Sequence, residues 1–280
     1  MALKKYKPTT PGRRQMSGYS FDELTTSKPN KKLVTGKNRI SGRNNRGTIT
    51  IRHRGGGAAR KYRDTDFKMK KNIGIPGVVE SVEYDPGRTA YIMLVLYKNG
   101  DRKYHLAPAG ITAGESVMTS EKTKIKIGNR LHIGNIPVGY EIHNLEFHPG
   151  RGGQAVKSAG NSAKIIGFDG DWAQVQLPSK EIRMVNKECY ASIGKVSNTD
   201  HSLIKIGKAG RKRHMGRRPQ VRGKAMNPCD HPHGGGEGAC PIGMKHPKTP
   251  WGLPALGKKT RRRKDTNRLI VKNRKGKMVR

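Results

Sequence analysis

The chain has 280 residues and carries 58 Lys and Arg side chains against 20 Asp and Glu, a formal net charge of +38. Such a charge is typical of proteins that bind nucleic acid, because phosphate neutralisation and counterion release supply most of their binding free energy. The longest apolar run, residues 90–97, is far too short to cross a membrane, and no segment has the stripe of a membrane-surface helix. We therefore expect no membrane partner.

The amino terminus and the cysteines indicate the compartment. Residues 1–8 (M-A-L-K-K-Y-K-P) lack the apolar stretch and small-residue cleavage site of a secretory signal. Cys189, Cys229 and Cys240 are too few and too scattered for a disulfide framework, which fits a reducing environment. We therefore expect a cytoplasmic protein.

The charge is distributed unevenly along the chain. Residues 1–72 contain 20 basic and 4 acidic side chains, residues 73–200 contain 15 and 13, and residues 201–280 contain 23 and 3. The near-neutral centre is also the most apolar part, so it is the segment able to bury a core. We predict a folded centre between two basic arms, 1–72 and 201–280, that are disordered without a nucleic-acid partner.

From residue 73 onward, short runs of apolar and β-branched residues predict strands. Asn99-Gly100 between two such runs is a strong hairpin signal, and 169–171 (D-G-D) predicts a second hairpin. Because no helical stretch separates these runs, the pattern favours an all-β fold of two small barrels that join near 120–135. The predicted strands are 78–84, 89–97, 102–106, 124–127, 130–133, 141–147, 163–168, 172–177 and 181–185.

After residue 200 the strand pattern ends. Residues 201–210 (H-S-L-I-K-I-G-K-A-G) predict one or two helical turns, and basic clusters follow at 211–213 and 217–218. A segment rich in Gly, Pro and His precedes a second basic stretch, 257–280. Glycine allows the backbone to approach phosphates closely, and the guanidinium groups of arginine bind phosphates bidentately.

The segment 222–238 (R-G-K-A-M-N-P-C-D-H-P-H-G-G-G-E-G), followed by 249–252 (T-P-W-G), resembles the hallmark of the large-subunit ribosomal protein family called L-two. Further motifs similar to this family occur in order along the whole chain, in a form that resembles the bacterial or organellar branch. They are 7–14 (K-P-T-T-P-G-R-R), 41–45 (S-G-R-N-N), 52–57 (R-H-R-G-G-G), 83–86 (E-Y-D-P), 136–139 (I-P-V-G) and 152–154 (G-G-Q).

The resemblance implies an OB-like barrel, assigned to 73–128, followed by an SH3-like barrel at 129–200. It also implies a primary rRNA-binding protein of the large subunit, located in the cytoplasmic ribosome. Such a protein supports subunit association, tRNA binding and peptide-bond formation near the peptidyl transferase centre. The implied partners are large-subunit rRNA, neighbouring ribosomal proteins, small-subunit rRNA at an intersubunit bridge and, indirectly, tRNA.

The chain departs from the family pattern at a few positions. Ala58 and Ala59 stand where the family has a His and a basic residue, and Ala239 stands where an Arg is expected, which weakens any local phosphate contact. Cys229 stands where a Val is expected, a substitution of one small residue by another that does not threaten the fold.

Residue types and the resemblance together define the expected rRNA-binding residues. Arg88, Arg151 and Lys157 are cations on or beside loops of the near-neutral centre, where a rigid scaffold presents phosphate contacts. Most aromatic side chains are expected in the barrel cores, whereas Trp251 lies in the basic arm and is expected to pack on RNA. The full set is Arg43, Asn44, Arg52, His53, Arg54, Arg88, Arg151, Lys157, Arg222, Asn227, His231, His233, Trp251, Lys258, Lys259 and Arg261.

The loop around residue 231 allows a second interpretation, a metal- or His-dependent transferase or hydrolase with basic tails. Asp230, His231, His233 and Glu237 are candidate ligands or acid–base groups, and Cys229 and Cys240 add thiols. Their spacing matches no standard zinc pattern, and the glycine run gives a flexible frame, so we expect no metal, no cofactor and no enzyme. The resemblance marks His231 as the one candidate for a catalytic role in peptidyl transfer.

Overall fold

The computed structural model describes residues 3–36 and 38–279. Its regular structure is almost entirely β, which confirms the all-β class. The helices are short, namely α1 (Pro11–Arg14), α2 (Ala209–His214) and single 3-10 turns at Lys31–Leu33, Ile133–Asn135, Thr199–Leu203, Gly223–Ala225 and Asp265–Leu269. The strands are β1 (Lys4–Lys5), β2 (Ser17–Gly18), β3 (Val34–Gly36), β4 (Lys61–Arg63), β5 (Pro76–Glu83), β6 (Ile92–Tyr97), β7 (Arg102–Leu106), β8 (Ser116–Met118), β9 (Arg130–His132), β10 (Glu141–His143), β11 (Ala163–Asp169), β12 (Trp172–Gln176), β13 (Ile182–Asn186), β14 (Tyr190–Ile193) and β15 (Ile270–Lys272).

The first large sheet has four antiparallel strands in the order β7-β6-β5-β8. The predicted hairpin at Asn99-Gly100 is confirmed, since β6 pairs with β7 and Gly100 adopts φ +85° in the turn. Val79, Val95 and Val117 lie in the core of this sheet with Tyr91 and other apolar side chains. On β5, Val79 and Val82 both face this core although they are three residues apart, because a bulge between Val79 and Ser81 shifts the alternation of side chains.

The second large sheet has seven antiparallel strands in the order β15-β13-β12-β11-β10-β14-β9. The predicted hairpin at 169–171 is confirmed, because β11 and β12 pair across it. Leu131, Ile142, Ile165, Val175 and their neighbours form its core. Among the described residues, neither large sheet closes on itself through paired strands, so no closed barrel is found.

Several features of the sheets differ from the sequence expectation, including the unpredicted two-stranded sheets β1-β2 and β3-β4. The predicted strand 124–127 is wrong: Lys126 donates a hydrogen bond to the Lys124 carbonyl (2.9 Å), and Ile125 and Ile127 are exposed. Its alternation of Lys and Ile imitates a half-buried strand, but no neighbouring strand pairs with it. Strands β8 and β14 were not predicted, because three or four residues are too few for alternation to be distinctive.

A further difference is β15, which lies within the predicted carboxy-terminal arm. Ile182 and Arg183 of β13 pair with Lys272 and Ile270, and Ile270 is buried. The carboxy-terminal segment is therefore an edge strand of the seven-stranded sheet.

The described chain forms two compact units. The core unit contains residues 59–209 together with the described residues up to 38 and those from 266 to 279, and the basic unit contains 39–58 and 210–265. In the core unit the two large sheets meet where the backbone N–H of Ala109 donates to the Lys195 carbonyl (2.7 Å). The neighbouring Pro108 forms an isolated antiparallel β-bridge with Val196. The division into arms and barrels, 1–72, 73–128, 129–200 and 201–280, stays a prediction about independent folding.

The basic unit has almost no interior. His231 is its only buried residue, and all of its residues are among those described. It carries 20 Lys and Arg against 3 Asp and Glu. Since burial of apolar surface is the main favourable term in folding, we expect this unit to need a partner to become ordered. No helix among the described residues is long and apolar enough to span a membrane.

Candidate RNA interface

A tight loop in the basic unit is shaped by Asn44. Its Oδ1 accepts the backbone N–H groups of Arg46 and Thr48, both at 3.0 Å, and Arg43 bridges Ile49. Gly42 makes the close return possible, because a Cβ there would lie 2.2 Å from the Ile51 carbonyl oxygen. Asn44 therefore uses its carbonyl oxygen inside the loop, and only its NH2 group is left as a donor to RNA.

Four of the expected binding residues lie together in one concavity. The segment after the loop pairs with a second segment of the basic unit. Arg54 forms an isolated antiparallel β-bridge with Arg217, and the backbone N–H of Arg218 donates to the His53 carbonyl (3.1 Å). This pairing lines one concave surface with cations and two exposed isoleucines. The lining includes Arg43, Ile49, Ile51, Arg52, His53, Arg54 and Arg218. Converging guanidinium groups on a concave surface are suited to backbone phosphates.

Trp251 is paired with one of these cations. The Arg52 guanidinium carbon lies 5.2 Å from the centre of the Trp251 ring system, and Trp251 is 75% exposed. An arginine against an indole is a cation–π contact, and it holds the ring in place without burying it. A ring presented in this way is suited to stacking on a base.

His231 is packed inside its own loop. Its ring lies against Gly223, where a Cβ would come within 2.6 Å of the imidazole. The His231 Nδ1 accepts the backbone N–H of His233 (3.0 Å), and the two rings are 4.7 Å apart. The backbone N–H is a donor, so Nδ1 carries no proton, and the neutral ring has its proton on Nε2.

His233 is held in the opposite tautomer. Its Nε2 accepts the backbone N–H of Lys248 at 2.8 Å, so the proton of the neutral ring is on Nδ1. Both imidazoles thus use their accepting nitrogen to fix the loop backbone. Neither neutral ring retains a second accepting nitrogen that could remove a proton from a substrate.

The candidate metal ligands do not converge. Cys229 is exposed, and the Cys240 Sγ accepts the backbone N–H of Glu237 (3.2 Å). Within 3–36 and 38–279, no three His, Cys, Asp or Glu side chains form a group suited to a metal ion. The arrangement does not favour the alternative interpretation as a metal-dependent enzyme.

The remaining expected residues of the basic unit are exposed. The Asn227 carbonyl accepts the N–H groups of Asp230 (3.0 Å) and His231 (3.3 Å), so Asn227 begins the His231 loop. Arg222 precedes the 3-10 turn under the His231 ring. Lys258, Lys259 and Arg261 lie on an exposed segment without regular structure. A solvated basic segment of this kind supplies charge rather than a shaped site.

In the core unit, two expected cations contact one phenyl ring. The Lys157 Nζ lies 4.2 Å from the centre of the Phe67 ring, and the Arg88 guanidinium carbon lies 5.2 Å from it. Arg88 also donates to Asp85 Oδ2 (2.6 Å) and Thr65 Oγ1 (3.1 Å). Partial burial, and then the charge of Arg88, lower the pKa of Lys157. A phosphate beside both cations would relieve their repulsion.

Arg151 lies on the neighbouring loop, 147–154, and is exposed. The Lys157 Nζ donates to the Gly153 carbonyl (3.0 Å), so this loop and the Phe67 cations form one surface. The Arg151 N–H donates to the His148 carbonyl (3.2 Å), which folds the loop back on itself.

Two further basic-unit arginines were not selected from the sequence. Arg218 lines the concavity of the basic unit, and Arg213 approaches Gly56, where a Cβ would lie 3.3 Å from a guanidinium nitrogen. The Arg213 Nη1 is buried without a hydrogen-bond partner in the described part of the chain. An acceptor from RNA would remove that cost. The basic clusters at 211–213 and 217–218 were evident in the sequence, but their spacing did not show which of these arginines lie beside Gly56 and His53.

An all-β core unit with a surface of clustered cations, joined to a basic unit without an apolar interior, defines a nucleic-acid-binding protein. Family comparison identifies the nucleic acid. The family model described as Ribosomal Proteins L2, RNA binding N-terminal domain, matches residues 30–119, and Ribosomal Proteins L2, C-terminal domain, matches 126–252. The chain therefore belongs to the ribosomal protein L2 family, as its motifs predicted. It is a structural, RNA-binding constituent of the large ribosomal subunit, and as for the family its location is the ribosome in the cytoplasm.

Proposed function

We propose that this protein is a primary binder of large-subunit rRNA, and that it acts near the peptidyl transferase centre as a scaffold. By ordering rRNA there it supports subunit association, tRNA binding and peptide-bond formation without contributing a catalytic group. Its further partners are neighbouring ribosomal proteins, small-subunit rRNA at an intersubunit bridge and, indirectly, tRNA.

One observation carries the proposal. The basic unit has 20 cationic and 3 anionic side chains and buries only His231, so it needs a polyanion to become ordered. Fixing the backbone costs about 1–2 kcal/mol per residue, and this unit has no apolar core to offset that cost. Counterion release on binding rRNA phosphates supplies the missing free energy.

The His231 loop supports a positional role for this residue. His231 accepts a backbone N–H through Nδ1, and its ring covers Gly223, so the imidazole stabilises the loop. A general base needs a lone pair within hydrogen-bond reach of the proton that it removes. In its neutral form His231 already uses its one accepting nitrogen, Nδ1, to bind the backbone N–H of His233, so no lone pair is left to remove a proton.

The salt dependence of rRNA binding tests the proposed interface. Replacing Arg43 and Arg218 together by Gln should lower the slope of log affinity against log salt by about 1 for each phosphate that is no longer neutralised. The control is Arg102→Gln, to be compared with each of the two single variants, because it likewise removes one exposed cation, but one bound bidentately by Glu80 (2.8 Å). An unchanged slope for the double variant would remove this concavity from the interface.

A further inference from the structure

The core unit contains a cavity that the proposed phosphate contacts leave unexplained. It has a volume of about 470 Å³ and lies on the seven-stranded sheet, with Trp172, Asn186 and Met184 on its floor. Trp172 and Asn186 are register partners on β12 and β13, and Met184, two residues before Asn186, lies on the same face of β13. This volume falls in the range of roughly 300–1,000 Å³ that small-molecule sites occupy.

The carboxy-terminal strand completes the cavity. Strand β15 pairs with β13, and Arg268 and Leu269 of the preceding 3-10 turn line the cavity together with Trp172. Phe147, which follows β10, lines another part of it. The walls are therefore aromatic and aliphatic apart from His148, Asn186 and the exposed Arg268, which supplies a cation.

The polar groups of the cavity are suited to a heteroaromatic ring. The Asn186 Oδ1 accepts the backbone N–H of Glu188 (2.8 Å), so its NH2 group remains as a donor to a ring nitrogen or carbonyl. Arg268 is the cation among the lining residues. An indole, a donor amide and a cation are the groups that recognise a base with its phosphate.

We propose that this cavity binds one unpaired nucleobase of RNA, stacked on Trp172, with Arg268 on its phosphate. The base comes from a single-stranded loop or bulge, because a base inside a duplex is already stacked and paired on both sides. This inference rests on the RNA binding of the chain. The segment 266–279 beside the cavity carries five basic and no acidic side chains, which favours a nucleotide over an apolar protein side chain as the occupant.

The indole of Trp172 provides a local reporter. The chain has two tryptophans, so the full-length Trp251→Phe variant retains Trp172 as its only indole. This variant is titrated with a single-stranded oligoribonucleotide and with an oligonucleotide of the same length and charge made of abasic residues. We expect the base-containing strand to quench Trp172 fluorescence strongly and the abasic strand to leave it unchanged, because only a base can stack on the ring.

Filter binding of both strands, run in parallel, separates two kinds of failure. If neither strand binds, the proposed RNA-binding surfaces are contradicted. If the strands bind tightly without base-dependent quenching of Trp172, only the cavity assignment is contradicted. Quenching by a free mononucleotide, but not by the strand, would assign the cavity to a small nucleotide and overturn the RNA assignment.

A second measurement uses assembled large subunits. Trp172→Ala should raise the chemical reactivity of one unpaired rRNA nucleotide. Phe168→Ala should not, although Phe168 is as exposed as Trp172 (37% each), because it lies on β11 outside the cavity lining. Equal reactivity patterns in the two variants would overturn the proposal.

Discussion

Arg130 and Glu146 form an ion pair that is almost completely removed from solvent. The Arg130 Nη2 lies 3.0 Å from Glu146 Oε1, and both side chains are 1% exposed. The other carboxylate oxygen of Glu146 accepts the N–H groups of Tyr190 (3.2 Å) and Gly150 (3.3 Å). This pair therefore ties β9 to the loop that presents Arg151.

Removing one member of this pair should destabilise the core unit. We expect Glu146→Gln to lower the free energy of unfolding by roughly 3–5 kcal/mol, because it leaves the Arg130 charge buried without its partner. Urea denaturation measures the change. The control is Glu80→Gln, whose exposed pair with Arg102 should contribute less than about 1 kcal/mol. Similar losses in the two variants would contradict this account.

The cations at Phe67 should contribute directly to rRNA affinity. We expect Lys157→Ala or Arg88→Ala to weaken binding by roughly 1–3 kcal/mol and to flatten its salt dependence, because the substitution removes a charge-assisted hydrogen bond to a phosphate. Filter binding at several salt concentrations provides the measurement. Arg60→Ala, in a segment with many neighbouring cations, is the control and should have a smaller effect.

Lys157→Ala is the cleaner of these two variants. Arg88 also neutralises the buried Asp85, so its replacement affects stability as well as binding. Since both cations contact the same ring, the double variant should lose less than the sum of the single losses. A Lys157→Ala protein that keeps its wild-type affinity and salt slope would exclude this position from the interface.

Substitutions at His231 distinguish a positional from a catalytic role. If its imidazole were a general base, His231→Gln should slow peptidyl transfer by roughly 10²–10⁴-fold in complete particles. We expect the defect in assembly, tRNA binding or subunit joining instead. The measurement is single-turnover peptidyl transfer across a pH series, on mutant ribosomes shown to be complete.

A second substitution at this position sharpens the test. The Asn carbonyl oxygen occupies a position similar to that of Nδ1, so His231→Asn should keep the bond from His233 N–H and be milder than His231→Gln. A Gln variant that functions better than the Asn variant would point to Nε2 as the important nitrogen.

Two buried histidines predict a loss of stability in acid. Burial lowers the pKa of His105 and His143 to about 4 each, below the imidazole value of about 6.5. Between about pH 6.5 and 4 the unfolded chain binds protons that the folded chain does not, so stability falls as pH falls through this window. Urea unfolding from pH 7 to 4 should show this, with a shallower slope for His143→Gln.

Limited proteolysis tests the division into arms and centre. We expect early cleavage within 39–58 and 210–265, which have no apolar core, and a resistant fragment that includes 73–200. Bound rRNA should suppress the early cleavage. First cuts at the Asn99-Gly100 hairpin, with the basic segments intact, would be the opposite result.

Sequence patterns were sufficient where the physical signal is local. Asn99-Gly100 specified its hairpin because the residues of a tight turn alone satisfy its backbone angles. The charge distribution identified a polyanion partner because net charge depends on composition and not on the fold. The His and Gly motif at 222–238 identified the family, and the same residues form the loop around His231.

Tertiary structure decided which residues meet. Phe67 between Lys157 and Arg88, and Arg218 beside His53, join positions that are far apart in the chain, and no local spacing encodes such pairs. Strand β15 was hidden in a basic tail because three residues carry too little alternation to be recognised. Its place depends on the unpaired edge of β13, and only the folded sheet creates that edge and the cavity beside Trp172.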